Sequence, residues 1–171
     1  MQTTIFKNIV PDETLDKEKK YWLQRLSGDL EKSNFPYDQT GPAVPGSDRV
    51  GLAFQVPGPL FSGMLRLTNS SENNLYILLL SCLTLLLGKY SGNTDIIVLA
   101  PIYKQRREGE FINSVLAIRT RLNRDLTVKE ILLQVKQTLA DANKHLNYPM
   151  ERILYHLKTT GRETGFTLSE T

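Results

Sequence analysis

A chain of 171 residues is long enough for one domain with its own core, and 40% hydrophobic with 23% charged residues are the proportions of an ordinary globular protein. The net charge of +3 is small and lysine and arginine are scattered among acids, which excludes the basic stripe that nucleic-acid binding needs. A single cysteine, Cys82, excludes a disulfide framework and a cysteine-rich zinc site, and the leucines around it predict a core thiol rather than a nucleophile.

Met1 to Val10 carries one lysine and no long apolar core, so it is no signal peptide and fits a natural N-terminus. Residues 12–26 read as a helix, with Asp12, Glu13 and Asp16 at its dipole-favoured start, Trp22, Leu23 and Leu26 on one face and Gly28 as the stop. Residues 33–48 hold Pro36, Gly41, Pro42, Pro45 and Gly46 and predict a linker or an extended strap over the surface. Residues 49–56 alternate as a strand does, with Val50, Leu52, Phe54 and Val56 on one face, until Pro57-Gly58-Pro59 ends the run.

Two helices follow, over residues 60–67 and 71–90. The second is apolar on every face, which predicts burial between layers. Its apolar run, Leu75 to Leu87, is interrupted by Ser81, Cys82 and Thr84 and is shorter than the ~20 residues of a membrane span, so a cytoplasmic protein without membrane contact is expected. Ile96 to Ala100 is continuously apolar, as in a central strand buried on both faces. Residues 116–122 alternate, with Leu116, Ile118, Thr120 and Leu122 opposing Ala117, Arg119 and Arg121. Thr127 and Glu130 form a capping box for a helix to Leu146, whose apolar face is Val128, Ile131, Leu132, Val135, Leu139, Ala142 and Leu146. Pro149 opens a last helix to Leu157, and residues 159–171 read as a loose tail. The expected fold class is α/β, a layered mixed β-sheet with flanking helices in a single unit spanning residues 1–171.

Five segments, in order, resemble the condensation domains of nonribosomal peptide synthetases. They are Tyr21-Trp22-Leu23-Gln24-Arg25-Leu26-Ser27-Gly28, Phe35-Pro36-Tyr37-Asp38, the helix–turn–strand from Leu83 to Val98, Ile112-Asn113-Ser114-Val115-Leu116-Ala117-Ile118-Arg119, and His145-Leu146-Asn147-Tyr148-Pro149-Met150-Glu151-Arg152. The resemblance implies one lobe of a chloramphenicol acetyltransferase-like fold: part of the second lobe of a V-shaped pair with the active site between. It also implies the parent chemistry, amide formation between two thioesters carried on phosphopantetheine arms of peptidyl carrier proteins, in peptide antibiotic biosynthesis.

That chemistry needs a base for the attacking amine and stabilisation of an oxyanion. The family's motif for it, HHxxxDG, belongs to the first lobe and is absent from this chain. The two histidines, His145 and His156, read as capping or surface residues, and neither has a carboxylate at a spacing that suggests an orienting pair. No catalytic, cofactor-binding or metal-binding residue is therefore assigned. The resemblance singles out Asn113, Arg119 and Pro149 as structural motif residues. It implies that Arg119 braces the catalytic loop through the aspartate of HHxxxDG, a role weighed against an ordinary solvated strand arginine. Asn113 is expected to hold a turn through its side chain. The family's loop before the asparagine motif is compressed here to Arg106-Arg107-Glu108-Gly109-Glu110-Phe111, which fits a lobe released from catalysis.

The function expected is a truncated condensation lobe, non-catalytic alone, that serves as a platform for an adjacent adenylation domain or a carrier protein. The alternative is half of a condensation acyltransferase completed by a first lobe supplied elsewhere. A third reading is a fragment whose function exists only in its parent. Apolar surface left by the absent lobe also raises the prospect of a homodimer.

Overall fold

The computed structural model describes residues 12–30, 33, 35, 53–103, 113–123 and 125–159. In chain order these form α1 (Asp12–Arg25), α2 (Gly58–Leu67), α3 (Glu72–Ser91), β1 (Asp95–Pro101), β2 (Val115–Arg121), α4 (Val128–Ala142) and α5 (Met150–Thr159). Of the strap expected over residues 33–48, Ser33 and Phe35 are described; of the tail expected over residues 159–171, Thr159 instead ends α5; the rest of both lie outside the described residues.

The layered α/β architecture is present, with a sheet narrower than expected. Among the described residues it consists of β1 and β2, antiparallel, in a register that sets Asp95 opposite Arg121 and Pro101 opposite Val115. Helix α3 packs on β1, α4 packs on β2, and the two helices lie against each other, while α5 touches β2 and α1. The core between them is filled by Trp22, Leu80, Ile97, Ile118, Val135 and Ile153, among others.

Local chemistry sets the boundaries. The hydroxyl of Ser71 accepts from the amide of Asn74 at the start of α3. At its end Gly92 takes a left-handed φ of 75°, open to glycine without a Cβ penalty, and its amide donates to Gly88 O at 3.0 Å. Thr127 and Glu130 form the expected capping box at α4.

Four expectations are corrected. Residues 53–57 are not a strand; Phe54 is 88% exposed, and the run ends in α2 rather than in a sheet, while residues 49–52 lie outside the described residues. Helix α3 is not buried all round. Ile77, Leu80, Ser81, Thr84 and Leu87 face the core, whereas Leu79 is 51% exposed and Leu83, Leu86 and Tyr90 also face outward. Cys82 lies on that outer face and is exposed, not a core thiol. The inner face holds the hydroxyls because each satisfies itself, Ser81 donating to Ile77 O and Thr84 to Leu80 O, so polarity does not mark the solvent side. Val128, at the first turn of α4, is exposed as well.

The strands depart from their patterns too. In β1, Ile96, Ile97 and Ala100 are buried but Val98 and Leu99 only half so, and β2 is its one paired neighbour among the described residues. In β2 both faces are covered from Leu116 to Thr120, Arg119 included. Helix α3, at 20 residues, is longer than its apolar run suggested; among the described residues it is the one helix long and apolar enough to cross a membrane, and its inner face is occupied by β1 and α4.

Candidate functional site

Arg119 is the centre of the polar structure. It sits on β2, only 5% exposed, and forms a two-pronged ion pair with Asp95 on β1: Nε to Oδ1 at 2.8 Å and Nη2 to Oδ2 at 2.6 Å. Nη1 donates to Ser27 O at 2.6 Å and Arg25 O at 3.2 Å, and Nη2 to Asp29 O at 3.4 Å. All five donors of the guanidinium are thereby used inside the chain. Three of them satisfy carbonyls at and just beyond the end of α1, where a helix leaves acceptors without partners and favours positive charge. Arg25 reciprocates, its Nη2 donating to Arg119 O at 2.7 Å and to Thr138 Oγ1 on α4 at 2.8 Å.

Arg119 is thus not the ordinary solvated strand arginine weighed above. It is not solvated, and its carboxylate partner is Asp95. Burial alone would raise the Asp95 carboxyl, but the hydrogen bonds and charge of Arg119, then those of Arg121, outweigh it and hold the group below its ordinary value.

Asn113 holds the turn ahead of α5. Its Nδ2 donates to Leu146 O and Tyr148 O, both at 2.8 Å, and its Oδ1 accepts from the buried amide of Met150 at 2.7 Å. Pro149 stands directly before α5, and its carbonyl accepts from Arg152 N at 3.1 Å. The structure does not join Asn113, Arg119 and Pro149 into one site: Asn113 and Pro149 belong to the turn before α5, Arg119 to the end of α1.

A second polar cluster was missed in the sequence. Glu18 on α1 is 4% exposed, and its carboxylate accepts from Asn147 N at 3.3 Å and Asn147 Nδ2 at 3.4 Å. His145 Nδ1 lies 3.9 Å from Glu18 Oε2, so the histidine does have a carboxylate neighbour, supplied from the far end of the chain. The imidazole stacks on Tyr21 at 3.8 Å between ring centres, and Trp22 Nε1 donates to His145 O at 2.9 Å. Burial raises the Glu18 carboxyl above its ordinary value, with the charge of His145 and the hydrogen bonds from Asn147 acting the other way. His156 falls in α5, and its side chain lies outside the described residues. Among the described residues no group of His, Cys, Asp and Glu is arranged to hold a metal ion.

Comparison with known proteins gives a consistent result. The family model described as "Condensation domain" matches residues 7–168. Gramicidin S synthase 2 of Brevibacillus brevis is 30% identical over 161 residues, covering 90% of this chain and 4% of the synthase. Gramicidin S synthase 2 of Aneurinibacillus migulanus matches to the same extent, 30% over 161 residues. Tyrocidine synthase 2 of Brevibacillus parabrevis is 30% identical over 157 residues, 88% of this chain and 4% of that protein. The chain therefore spans only 4% of the length of each of these relatives. Among solved structures, the starter condensation domain of rhizomide synthetase superposes with a TM-score of 0.56 at 14% identity, covering 86% of this chain and 32% of that one, a likeness of fold.

Proposed function

The chain belongs to the condensation-domain family of nonribosomal peptide synthetases, of which it matches part of one domain, and from that premise we propose that it is a non-catalytic platform lobe. The observation that carries this reading is the saturation of Arg119. The residue that the family resemblance assigns to bracing a catalytic aspartate has all five donors spent on Asp95 and the end of α1. The chain's own sequence holds no HHxxxDG to receive it. The guanidinium donors of Arg119 point into the chain and offer no oxyanion donor set.

The platform itself is the outer side of α3 with α2. Leu79, Leu83, Leu86 and Tyr90 are exposed on α3, with Phe35 edge-on to Tyr90, and Leu60, Phe61 and Leu67 are exposed on α2; such apolar groups are of the kind that marks contact with another protein. The partner proposed is the adenylation domain of the same synthetase or a peptidyl carrier protein, whose phosphopantetheine stays on the carrier. The same surface suits a first lobe supplied elsewhere, which is the competing reading as half of an acyltransferase.

Two measurements test this. Mixed with loaded donor and acceptor carrier proteins, the chain is expected to form no amide product above the protein-free control. Titrated with the downstream adenylation domain or the carrier, it is expected to bind, and Leu83→Asp on α3 to abolish binding. Amide formation restored by adding a separately expressed first lobe would replace the platform reading with the split enzyme. Light scattering across a concentration series decides whether two copies cover the face instead.

A further inference from the structure

The Glu18–His145 cluster serves no step of the proposed function. A carboxylate at 4% exposure faces an imidazole rather than an arginine or lysine. Both belong to one junction, where α1 meets the loop between α4 and α5. That loop is fixed from two sides. Asn113 grips it through Leu146 O, Tyr148 O and Met150 N, contacts that do not titrate. Glu18 holds it through Asn147 and lies 3.9 Å from His145 Nδ1, and here one partner is a carboxyl that takes up a proton.

We infer that Glu18 and His145 form a proton-operated latch, closed while the pair holds a proton and loosened at the α1 side when that proton leaves. With the proton on the imidazole, a cation faces the buried carboxylate across 3.9 Å. With it on the carboxyl, Glu18 is neutral and no charge is buried. After the proton is lost, a buried anion faces a neutral ring, with only the Asn147 donors to hold it. The proton belongs to the pair rather than to either residue.

The surroundings do not override the pair. On α1, Tyr21 stacks on the imidazole and Arg25 acts on Tyr21, while Asp141 at the end of α4 also acts on Tyr21 and is itself paired with Lys144. The charge acting on Glu18 among the described residues is that of His145. The direction follows from burial. A carboxyl raised in the folded chain holds its proton more tightly there than in the unfolded one, so the junction is firm at lower pH and loses stability as pH rises. What moves is the rim of a cavity of about 510 Å³ between α1 and α5, to which Tyr148 and Leu23 contribute.

The chain carries its own reporter. Trp22 is its single tryptophan, and its Nε1 donates to the carbonyl of His145 itself. Trp22 emission is to be followed from about pH 5 to pH 9, with far-UV circular dichroism alongside. A one-proton transition in emission is expected at constant ellipticity, with the Asn147 amide exchanging about tenfold faster above it after correction for intrinsic pH dependence. Glu18→Gln keeps an acceptor for Asn147 but carries no titrating carboxyl, and is expected to abolish the pH dependence of Asn147 exchange. His145→Asn, which removes the imidazole facing Glu18, is expected to abolish the emission transition and serves where the first variant fails to fold. A flat wild-type profile, or a transition that survives in the folded variants, overturns the latch.

Discussion

Replacing Asp95 by alanine tests the most consequential contact in the structure. The substitution removes two of the five acceptors around Arg119, those at 2.8 and 2.6 Å, and leaves a guanidinium that is 5% exposed without its counter-charge. The carbonyls of Arg25, Ser27 and Asp29 remain, but they are dipoles and cannot neutralise the charge. Breaking a buried pair from one side costs about 3–5 kcal/mol, against about 0–1 kcal/mol for an exposed pair. Urea unfolding followed by Trp22, which is fully buried, measures it directly. The midpoint is expected to fall at unchanged slope. Acid adds a second signature. The Asp95 carboxyl lies below its ordinary 3.8 in the folded chain, so its contribution is complete above that value and is lost as pH falls through the lower folded value. Asp95→Asn removes that acid dependence. A cost for Asp95→Ala below about 1 kcal/mol would show that Arg119 behaves as a surface arginine, and its saturation would then no longer support the platform reading.

Asn113→Ala strips the buried Met150 amide of its acceptor and is expected to cost about 1–3 kcal/mol in the same assay. On α3, Leu80→Ala is expected to cost about 2–5 kcal/mol and Leu83→Ala about 0.5 kcal/mol or less, since only the first faces the core; equal costs would refute the assigned orientation of the helix. Thr127→Ala removes the capping box of α4 and is expected to cost about 0.5–2 kcal/mol, read by thermal unfolding with circular dichroism.

What the sequence revealed follows the range of the interactions. The capping box of Thr127 and Glu130 was legible because both its hydrogen bonds close within three residues. Helix α4 was legible from periodicity, α1 from its acidic start and apolar face, and α5 from Pro149 at its opening, signals that need no knowledge of the partner surface. The orientation of α3 was not, because leucines occupy both of its sides and the hydroxyls of Ser81 and Thr84 turn inward to their own backbone. The role of Arg119 was half legible. Its motif marked it, but its partner is set by the antiparallel register, which places Ile97 opposite Arg119 and brings Asp95 two residues along the neighbouring strand. Spacing along one chain does not disclose that pairing. Glu18 gave no signal at all: it is one acid among the lysines of α1, and only the docking of that helix buries it.

The ties of α1 also govern when it can fold. Trp22 reaches His145 across 123 positions of sequence, Arg25 reaches Thr138 across 113, and Arg119 reaches the end of α1 across 90 to 94. By contrast α3, β1, β2 and α4 find their partners close by in the chain. Helix α1 is therefore expected to dock after the elements that follow it here, since its closure entropy is met only once the loop after α4 exists. During synthesis at about 5–20 residues per second, α1 must wait roughly 5–25 seconds for those partners to emerge, with Trp22 and Leu26 uncovered. Substitutions that weaken the docking of α1 should then speed unfolding and leave the folding rate almost unchanged, since contacts absent from the transition state act on the unfolding limb alone.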